Sequence, residues 1–331
     1  MGNILFIGGP GNISTSVAEA LLEENHRVSI FTLPNSLDDE GIAARCAMHN
    51  GDRSDFNAFN AVLDAVKPDA IIDFCCFRPS QMALILPLLD GFLKQYVFIS
   101  TCDIYGYPLS NLPMRESDPR RPPNCRYAVD KLACEALLRD YMRKTPVTVM
   151  RPAYSMGKRF AKTALSRIGG YTLVPRLRAG LPVMSLDGGN ILIHASNAKD
   201  TGRMIANVVL SPQSYSKAYN CGSRYARTYD EYIRLFADAL CVTPNFVHVP
   251  TEKVYEWADY RIFEENLPND NTRYDTSFSM EGFLADYPDF QWKYPVEEAV
   301  RAFIDYNDAL GAFGETDDPV ECSILKHILK R

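Results

Sequence analysis

The first half of the chain alternates short apolar runs with segments of helical apolar spacing, and this alternation constrains the fold more than any other feature. The pattern predicts strands at 3–8, 27–32, 70–75, 96–101 and 147–151, and helices at 14–24, 55–66, 81–93 and 124–143. Short strands that are apolar throughout are typical of a parallel sheet covered on both faces. Right-handed crossovers between them predict an α/β fold, a Rossmann-type doubly wound parallel sheet.

The second half is less regular, with a stretch rich in glycine and proline up to Gly189. Thr228 and Glu231 form a capping box, which predicts a helix that ends near Leu240. Further strands are predicted at 191–194 and 247–250, further helices at 198–210 and 296–310, and a polar tail from Gly314. We expect a dinucleotide-binding domain at 1–155 and a smaller α/β substrate-binding domain at 156–331, with parts of about 190–225 packing back on the first.

A glycine-rich loop, residues 8–14, directly follows the first strand and precedes the first helix. Glycines allow a tight turn and let the backbone approach a pyrophosphate, which then lies at the positive end of the helix. Ser14 stands where the last glycine of such loops is usual, and it is small enough for close packing. The candidate cofactor-binding residues here are Gly8, Gly11, Asn12 and Ile13.

The ends of the next strands supply further cofactor candidates. Thr32 ends the second strand in a stretch with neither an acid nor a base, so the choice between NAD and NADP stays open. Asp52 follows Gly51 and is able either to reach an adenine amino group or to cap the next helix. Arg53 and Phe74 complete the predicted cofactor set.

Tyr127 and Lys131 stand four residues apart on one predicted helix and therefore share a face. An ammonium about 4 Å from a phenol lowers its pKa by about three pH units, which would bring it close to neutrality. Such a phenol can exchange a proton with a substrate hydroxyl. Thr101 ends a strand at the edge where doubly wound sheets bind ligands, so its hydroxyl is expected to hold the reacting oxygen.

These motifs together resemble the extended short-chain dehydrogenase/reductases, in particular the NAD-dependent epimerase/dehydratase family. The shared features, in order, are the glycine loop, Gly51-Asp52, the strand end at 100–106, Tyr127-x-x-x-Lys131 and Arg151-Pro152. The resemblance implies that Tyr127 is the acid/base, that Lys131 holds the nicotinamide ribose, and that Thr101 binds the reacting oxygen. It also implies a homodimer that forms through the helix of Tyr127.

The residues after the threonine bear on the reaction type. In sugar 4,6-dehydratases an acid pair follows the catalytic threonine, whereas here the pair is Cys102 and Asp103. Both are tentative catalytic candidates. An epimerase of a nucleotide sugar is favoured, and a 4,6-dehydratase that uses Asp103 and an NADPH-dependent carbonyl reductase are the alternatives. A regulator that only senses the cofactor is disfavoured by the intact Thr101, Tyr127 and Lys131.

A basic segment predicts an anionic substrate. No acid occurs between Asp140 and Asp187, whereas nine bases do, on a chain of net charge −6. Such a local positive field suits a phosphate or carboxylate, although a solvated surface is the alternative. The arginine that is common in the resembled family after a turn such as Asp187-Gly188-Gly189 is missing here. The tentative substrate-binding residues are Tyr154, Arg159, Arg176, Arg178 and Asn190.

Other features exclude functions. The acidic net charge argues against nucleic-acid binding, and no apolar run has the roughly 18–20 residues of a membrane span. The nine cysteines include no CxxC pair, and the histidines lack metal spacing, so we expect no metal, a structural His194 and a reduced, cytoplasmic setting.

Overall fold

A seven-stranded parallel sheet forms the centre of the molecule. The computed structural model describes residues 1–34, 41–161, 171–257, 273–314 and 319–329. In chain order the strands are β1 (Asn3–Ile7), β2 (Arg27–Thr32), β3 (Ala47–Asn50), β4 (Ala70–Asp73), β5 (Gln95–Ile99), β6 (Val147–Pro152) and, much later, β11 (Ala218–Cys221). Their order across the sheet is β11-β6-β5-β4-β1-β2-β3, which confirms the predicted doubly wound fold.

Helices cover both faces of this sheet. They are α1 (Asn12–Glu23), α2 (Phe56–Val66), α3 (Pro79–Leu89), α4 (Arg126–Tyr141) and α6 (Ala198–Val208). The side chains of β1 alternate between the two faces, as a pleated strand requires. Ile4 and Phe6 pack with α1 and α6, whereas Leu5 and Ile7 pack with α2, α3 and α4.

The second half of the chain adds three two-stranded sheets. β7 (Tyr154–Met156) pairs with β10 (Ala195–Asn197), β8 (Pro182–Leu186) with β13 (Asn245–Val249), and β9 (Leu192–Ile193) with β12 (Arg227–Thr228). The remaining helices are α5 (Leu173–Arg178), α7 (Tyr229–Ala239), α8 (Thr251–Trp257), α9 (Glu281–Asp286), α10 (Val296–Ala309) and α11 (Pro319–Leu329). Most of these elements enclose a separate hydrophobic cluster around Tyr232, Phe236 and Phe303.

Local chemistry explains where several elements begin. The capping box at α7 is confirmed, because Thr228 Oγ1 accepts from the Glu231 N–H and Glu231 Oε2 accepts from the Thr228 N–H. α4 begins at Arg126 and not at 124, because the Asn124 side chain pairs with the backbone of Tyr107. The tail expected to be polar contains α11, in which Ile324 and Leu325 are buried.

Among the described helices, none combines the length and the apolar character needed to cross a membrane. Among the residues that the structure describes, no group of three or more His, Cys, Asp or Glu side chains is placed to hold a metal ion.

His194 links three segments in the core. Its Nδ1 accepts from the Phe278 N–H at 3.0 Å, so the proton lies on Nε2, which is 2.9 Å from the Ser223 carbonyl oxygen. Burial lowers the pKa of His194 to about 4. These contacts are those of a structural histidine.

We expect His194 to make stability fall as the pH falls from 6.5 to 4. Between these pH values His194 is protonated in the unfolded protein and neutral in the folded protein. The free energy of unfolding therefore falls by about 3 kcal/mol from pH 6.5 to pH 4. Urea unfolding of the wild type and of His194→Gln at several pH values measures the effect. Equal slopes of stability against pH in the two proteins would contradict this assignment.

Candidate active site

The carboxyl ends of the central strands lie at one edge of the sheet, where they bring together residues distant in sequence. Gly8 follows β1, Phe74 follows β4, and Thr101 lies two residues after β5. Thr101 caps a 3-10 turn, Cys102–Tyr105, and its Oγ1 accepts from the Asp103 N–H at 3.2 Å. The threonine hydroxyl is thereby held at the sheet edge.

α4 presents Tyr127 and Lys131 to this edge. The Tyr127 phenol lies near the Thr101 hydroxyl, which acts to lower the pKa of the phenol. Lys131 is 1% exposed, and its Nζ donates to the Ile99 carbonyl at 2.7 Å. The structure therefore brings Thr101, Tyr127 and Lys131 together beside the end of β5.

Aromatic rings surround the Lys131 ammonium. Its Nζ lies 4.9 Å from the centre of the Phe98 ring and 5.0 Å from that of Phe77, and 5.8 Å from that of Tyr127. Burial lowers the pKa of Lys131. The ammonium is thus held by a carbonyl and by ring faces, a favourable setting for a desolvated cation.

The pKa of Tyr127 shifts in the direction opposite to the one expected from sequence. Burial raises it, the Asp103 carboxylate raises it further, and the hydrogen bond with Thr101 opposes them. The tyrosine ring is 42% exposed, but its hydroxyl faces Thr101. Because the Lys131 ammonium is bonded to the Ile99 carbonyl, it does not bring this pKa to neutrality.

The two residues after Thr101 have different surroundings. Asp103 is partly exposed and accepts a hydrogen bond from the Tyr107 hydroxyl at 2.8 Å. Cys102 is buried, and its thiol donates to the Arg151 carbonyl at 3.1 Å. Burial raises the pKa of Cys102. The expected acid pair is therefore reduced to Asp103, since the Cys102 thiol faces the core.

A buried polar network supports this edge from behind, and the sequence analysis missed it. Glu135, four residues after Lys131, accepts from Arg151 Nη2 at 2.8 Å and from the Ser100 hydroxyl at 2.6 Å. Arg151 Nη1 also donates to the Tyr105 hydroxyl at 3.0 Å. The spacing of 127, 131 and 135 is the signal that could have revealed Glu135.

The glycine loop has the geometry of a phosphate cradle. Gly8 and Gly9 have φ of +90° and +115°, and a Cβ on Gly8 would lie 2.8 Å from Cys75 Sγ. Helix α1 begins at Asn12, and Gly11 before it provides no side-chain cap. Asn12 and Ile13 are therefore its first two residues. The first N–H groups of α1 therefore suit an anion.

Other predicted cofactor residues lie near the ends of β2, β3 and β4. The Thr32 carbonyl accepts from the Gly51 N–H at 2.9 Å, which brings Asp52 next to β2. Asp55, and not Asp52, caps α2. The Phe74 ring packs 5.1 Å from that of Phe6.

Arg53 has a different environment from the one that a cofactor contact needs. Its Nη1 lies 2.6 Å from Asp73 Oδ1 in a buried ion pair, and Asp73 also accepts from the Tyr96 hydroxyl. The Arg53 guanidinium thus neutralises a core carboxylate at the end of β4.

The tentative substrate residues do not form one cluster. Arg176 is buried and donates to the Pro182 carbonyl, and Arg178 pairs with Asp308 on α10. The Arg159 N–H bonds to the Asn12 side chain of the glycine loop at 3.3 Å. Tyr154 lies beside Tyr107, and Asn190 is exposed. Of the basic segment, Lys162 and Arg167 fall outside the described residues.

Several bases in the described part of this segment have protein partners of their own, and the anionic site stays a prediction. Arg151 and Arg178 are bound to carboxylates, and the Lys158 ammonium lies 5.0 Å from the centre of the Tyr306 ring. Each of these bases serves a separate contact.

Comparison with known proteins gives consistent results. The model of the NAD dependent epimerase/dehydratase family matches residues 4–222. A 2'-dehydrokanamycin reductase of Streptomyces kanamyceticus is 25% identical over 283 residues, which cover 84% of this chain and 76% of the relative.

Solved structures with the same fold have low sequence identity. A UDP-glucose 4-epimerase of Thermotoga maritima, crystallised with UDP-glucose, superposes with a TM-score of 0.73 at 17% identity, over 93% of this chain and 99% of the other. A dTDP-glucose 4,6-dehydratase of Bacillus anthracis, crystallised with NAD, gives 0.71 at 17% identity, over 93% and 97%.

Proposed function

The chain belongs to the NAD-dependent epimerase/dehydratase family, and from this premise we propose that it oxidises a hydroxyl-bearing carbon of a sugar to a transient ketone and then reduces it again. The substrate is a nucleotide sugar, and the net reaction is an epimerisation. The observation that carries the proposal is the position of Thr101 at the end of β5, beside the face of α4 that bears Tyr127 and, one turn further along, buried Lys131.

NAD is the cofactor of this family, and the glycine loop fits it. A side chain at Gly8 would collide with Cys75, and the uncapped start of α1 offers N–H groups to a pyrophosphate. Gly8, Gly11, Asn12 and Ile13 would hold the pyrophosphate, Asp52 the adenine end, and Lys131 the nicotinamide ribose. When bound, NAD supplies the acceptor and store for the hydride.

The protein's own groups have separate tasks in this scheme. Thr101 holds the substrate oxygen, and Tyr127 takes its proton as the carbon is oxidised and returns it on reduction. Lys131 lies beside this phenol, with its Nζ 5.8 Å from the ring centre, where it would hold the nicotinamide ribose. Asp103 also lies where a 4,6-dehydratase would use an acid, so elimination of water is the variant reaction of this site.

A second candidate function is the reduction of a ketone. Burial raises the pKa of the Tyr127 phenol, which favours the protonated form, and that form gives a proton to a developing alkoxide. The similar reductase of Streptomyces kanamyceticus acts, by its name, on a ketone of an aminoglycoside. Arg176 and Arg178, two of the tentative substrate-binding residues, are bound to other groups of the protein, which also favours a substrate without a diphosphate.

One experiment separates these functions. The purified protein is incubated with NAD and UDP-glucose, then with other nucleotide sugars, and proton NMR follows the sugar signals. We expect a new isomer to form without net production of NADH, measured by absorbance. A dehydrated product would indicate the 4,6-dehydratase. If no nucleotide sugar reacts and the protein oxidises NADH in the presence of a keto sugar, the epimerase proposal is wrong and the reductase function is supported.

A further inference from the structure

Two buried thiols that the proposed chemistry does not use lie next to the candidate site. Cys76 lies in the loop between β4 and α3, and Cys134 lies on α4, three residues after Lys131. Neither side chain reaches solvent, and their sulfur atoms are 3.9 Å apart. The pair is close enough to react if one sulfur becomes electrophilic.

The surroundings make the two thiols unequal. The hydrogen bond shared with Cys76 lowers the pKa of Cys134, and the positive charge of Lys131 lowers it too. The same hydrogen bond, together with burial, raises the pKa of Cys76. Because the thiolate is the nucleophile in thiol chemistry, Cys134 is the sulfur that attacks an oxidant first, once the loop of Cys76 opens to admit that oxidant.

The loop that carries Cys76 lies between the glycine loop and Lys131. Cys75 contacts the glycine loop, since a Cβ on Gly8 would lie within 3.0 Å of its Cβ. Phe77 places its ring 5.0 Å from the Lys131 ammonium. A movement of Cys76 therefore acts on both the pyrophosphate cradle and Lys131.

We propose that Cys76 and Cys134 form an oxidation site, in which a peroxide converts the two thiols to a disulfide and thereby weakens the binding of NAD. The Cys134 thiolate attacks one oxygen of hydrogen peroxide, which forms a sulfenic acid as hydroxide leaves and takes a proton to become water. The sulfur of Cys76 then attacks the sulfenic sulfur and displaces hydroxide. The hydroxide takes the proton of the Cys76 thiol and leaves as a second water. Two thiols are oxidised, and one peroxide is reduced to two waters.

The disulfide requires movement of the loop. Bonded sulfur atoms lie about 2.05 Å apart, so the present separation must shrink by almost half. Cys134 is fixed in a helix packed in the core, whereas Cys76 belongs to neither helix nor strand. The loop at 74–78 therefore moves toward α4, carrying Cys75 away from Gly8 and shifting Phe77 over Lys131.

The test uses NAD alone, so its outcome is independent of which sugar the protein accepts. Wild-type protein is treated with hydrogen peroxide, digested without reductant and mapped by mass spectrometry, and NAD affinity is measured by isothermal titration calorimetry. We expect a peptide pair that joins Cys76 to Cys134, and a Kd for NAD that rises about tenfold. Dithiothreitol should restore the original Kd.

Matched variants separate this pair from the other thiols. Cys134→Ala should keep its NAD affinity through peroxide treatment, whereas Cys241→Ala, which removes an exposed thiol, should respond as the wild type does. Three results would each overturn the proposal: no Cys76–Cys134 linkage, a Cys75–Cys76 linkage in its place, or an unchanged Kd in protein that carries the expected disulfide.

Discussion

Tyr127→Phe is expected to lower turnover between about a hundredfold and ten-thousandfold, the range attributed to general acid–base catalysis. The substitution removes the hydroxyl near Thr101 and leaves the ring beside Phe77 and Lys131. Since Lys131 and the glycine loop are untouched, the Kd for NAD should change little. Steady-state kinetics with the substrate identified by NMR, and calorimetric titration with NAD, measure the two effects separately.

Tyr141→Phe is the matched control for this variant. Tyr141 lies on the same helix, at its last residue, and its side chain is 63% exposed. Removing this hydroxyl should leave turnover at the wild-type level. If Tyr127→Phe retained full turnover, the proton would have to pass through another group, and the proposed mechanism would be wrong.

Arg151→Met is expected to lower the free energy of unfolding by about 3–5 kcal/mol, because it removes the buried two-pronged partner of the Glu135 carboxylate and leaves it only Arg120, 3.7 Å away and 34% exposed. The side chains of this pair are 6% and 8% exposed. The loss also removes the donor to the Tyr105 hydroxyl. Urea unfolding followed by circular dichroism measures the change.

Arg178→Met provides the comparison for this second variant. Arg178 forms a similar two-pronged pair with Asp308, but its side chains are 41% and 40% exposed. A solvated ion pair contributes about 1 kcal/mol or less. If both variants lost the same free energy of unfolding, burial would not be what makes the Arg151–Glu135 ion pair important for stability.

The sequence predicted the central fold well because its signal is local. Most strands of the sheet in the first half are apolar runs bounded by turns, and β2 has the predicted bounds, Arg27–Thr32. The exception is β3, whose residues Ala47–Asn50 form no apolar run. The start of α4 was less accessible, because Asn124 bonds to Tyr107, a residue 17 positions away. Helix α11 was missed although Val320, Ile324 and Ile328 recur in it at helical spacing.

The candidate site shows the same division. The spacing of Tyr127 and Lys131 and the strand end at Thr101 follow from short motifs, and the structure brings these residues together. The partners of Arg53, Arg176 and Arg178 lie 20, 6 and 130 residues away in sequence. Charge along the chain therefore indicated an anionic site where the fold distributes the same bases among unrelated contacts. The pKa of Tyr127 was misjudged because burial cannot be inferred from helical spacing.

The placement of β11 and α6 makes the dinucleotide-binding half depend on chain that is made much later. β11 pairs with β6, and α6 packs along α1, although both lie beyond residue 190. A ribosome that had released only the first 155 residues would present β6 as an unpaired sheet edge and α1 with an uncovered apolar stripe. Such surfaces promote aggregation. Completion of this half during synthesis therefore waits for about 70 further residues, several seconds at usual elongation rates of 5–20 residues per second.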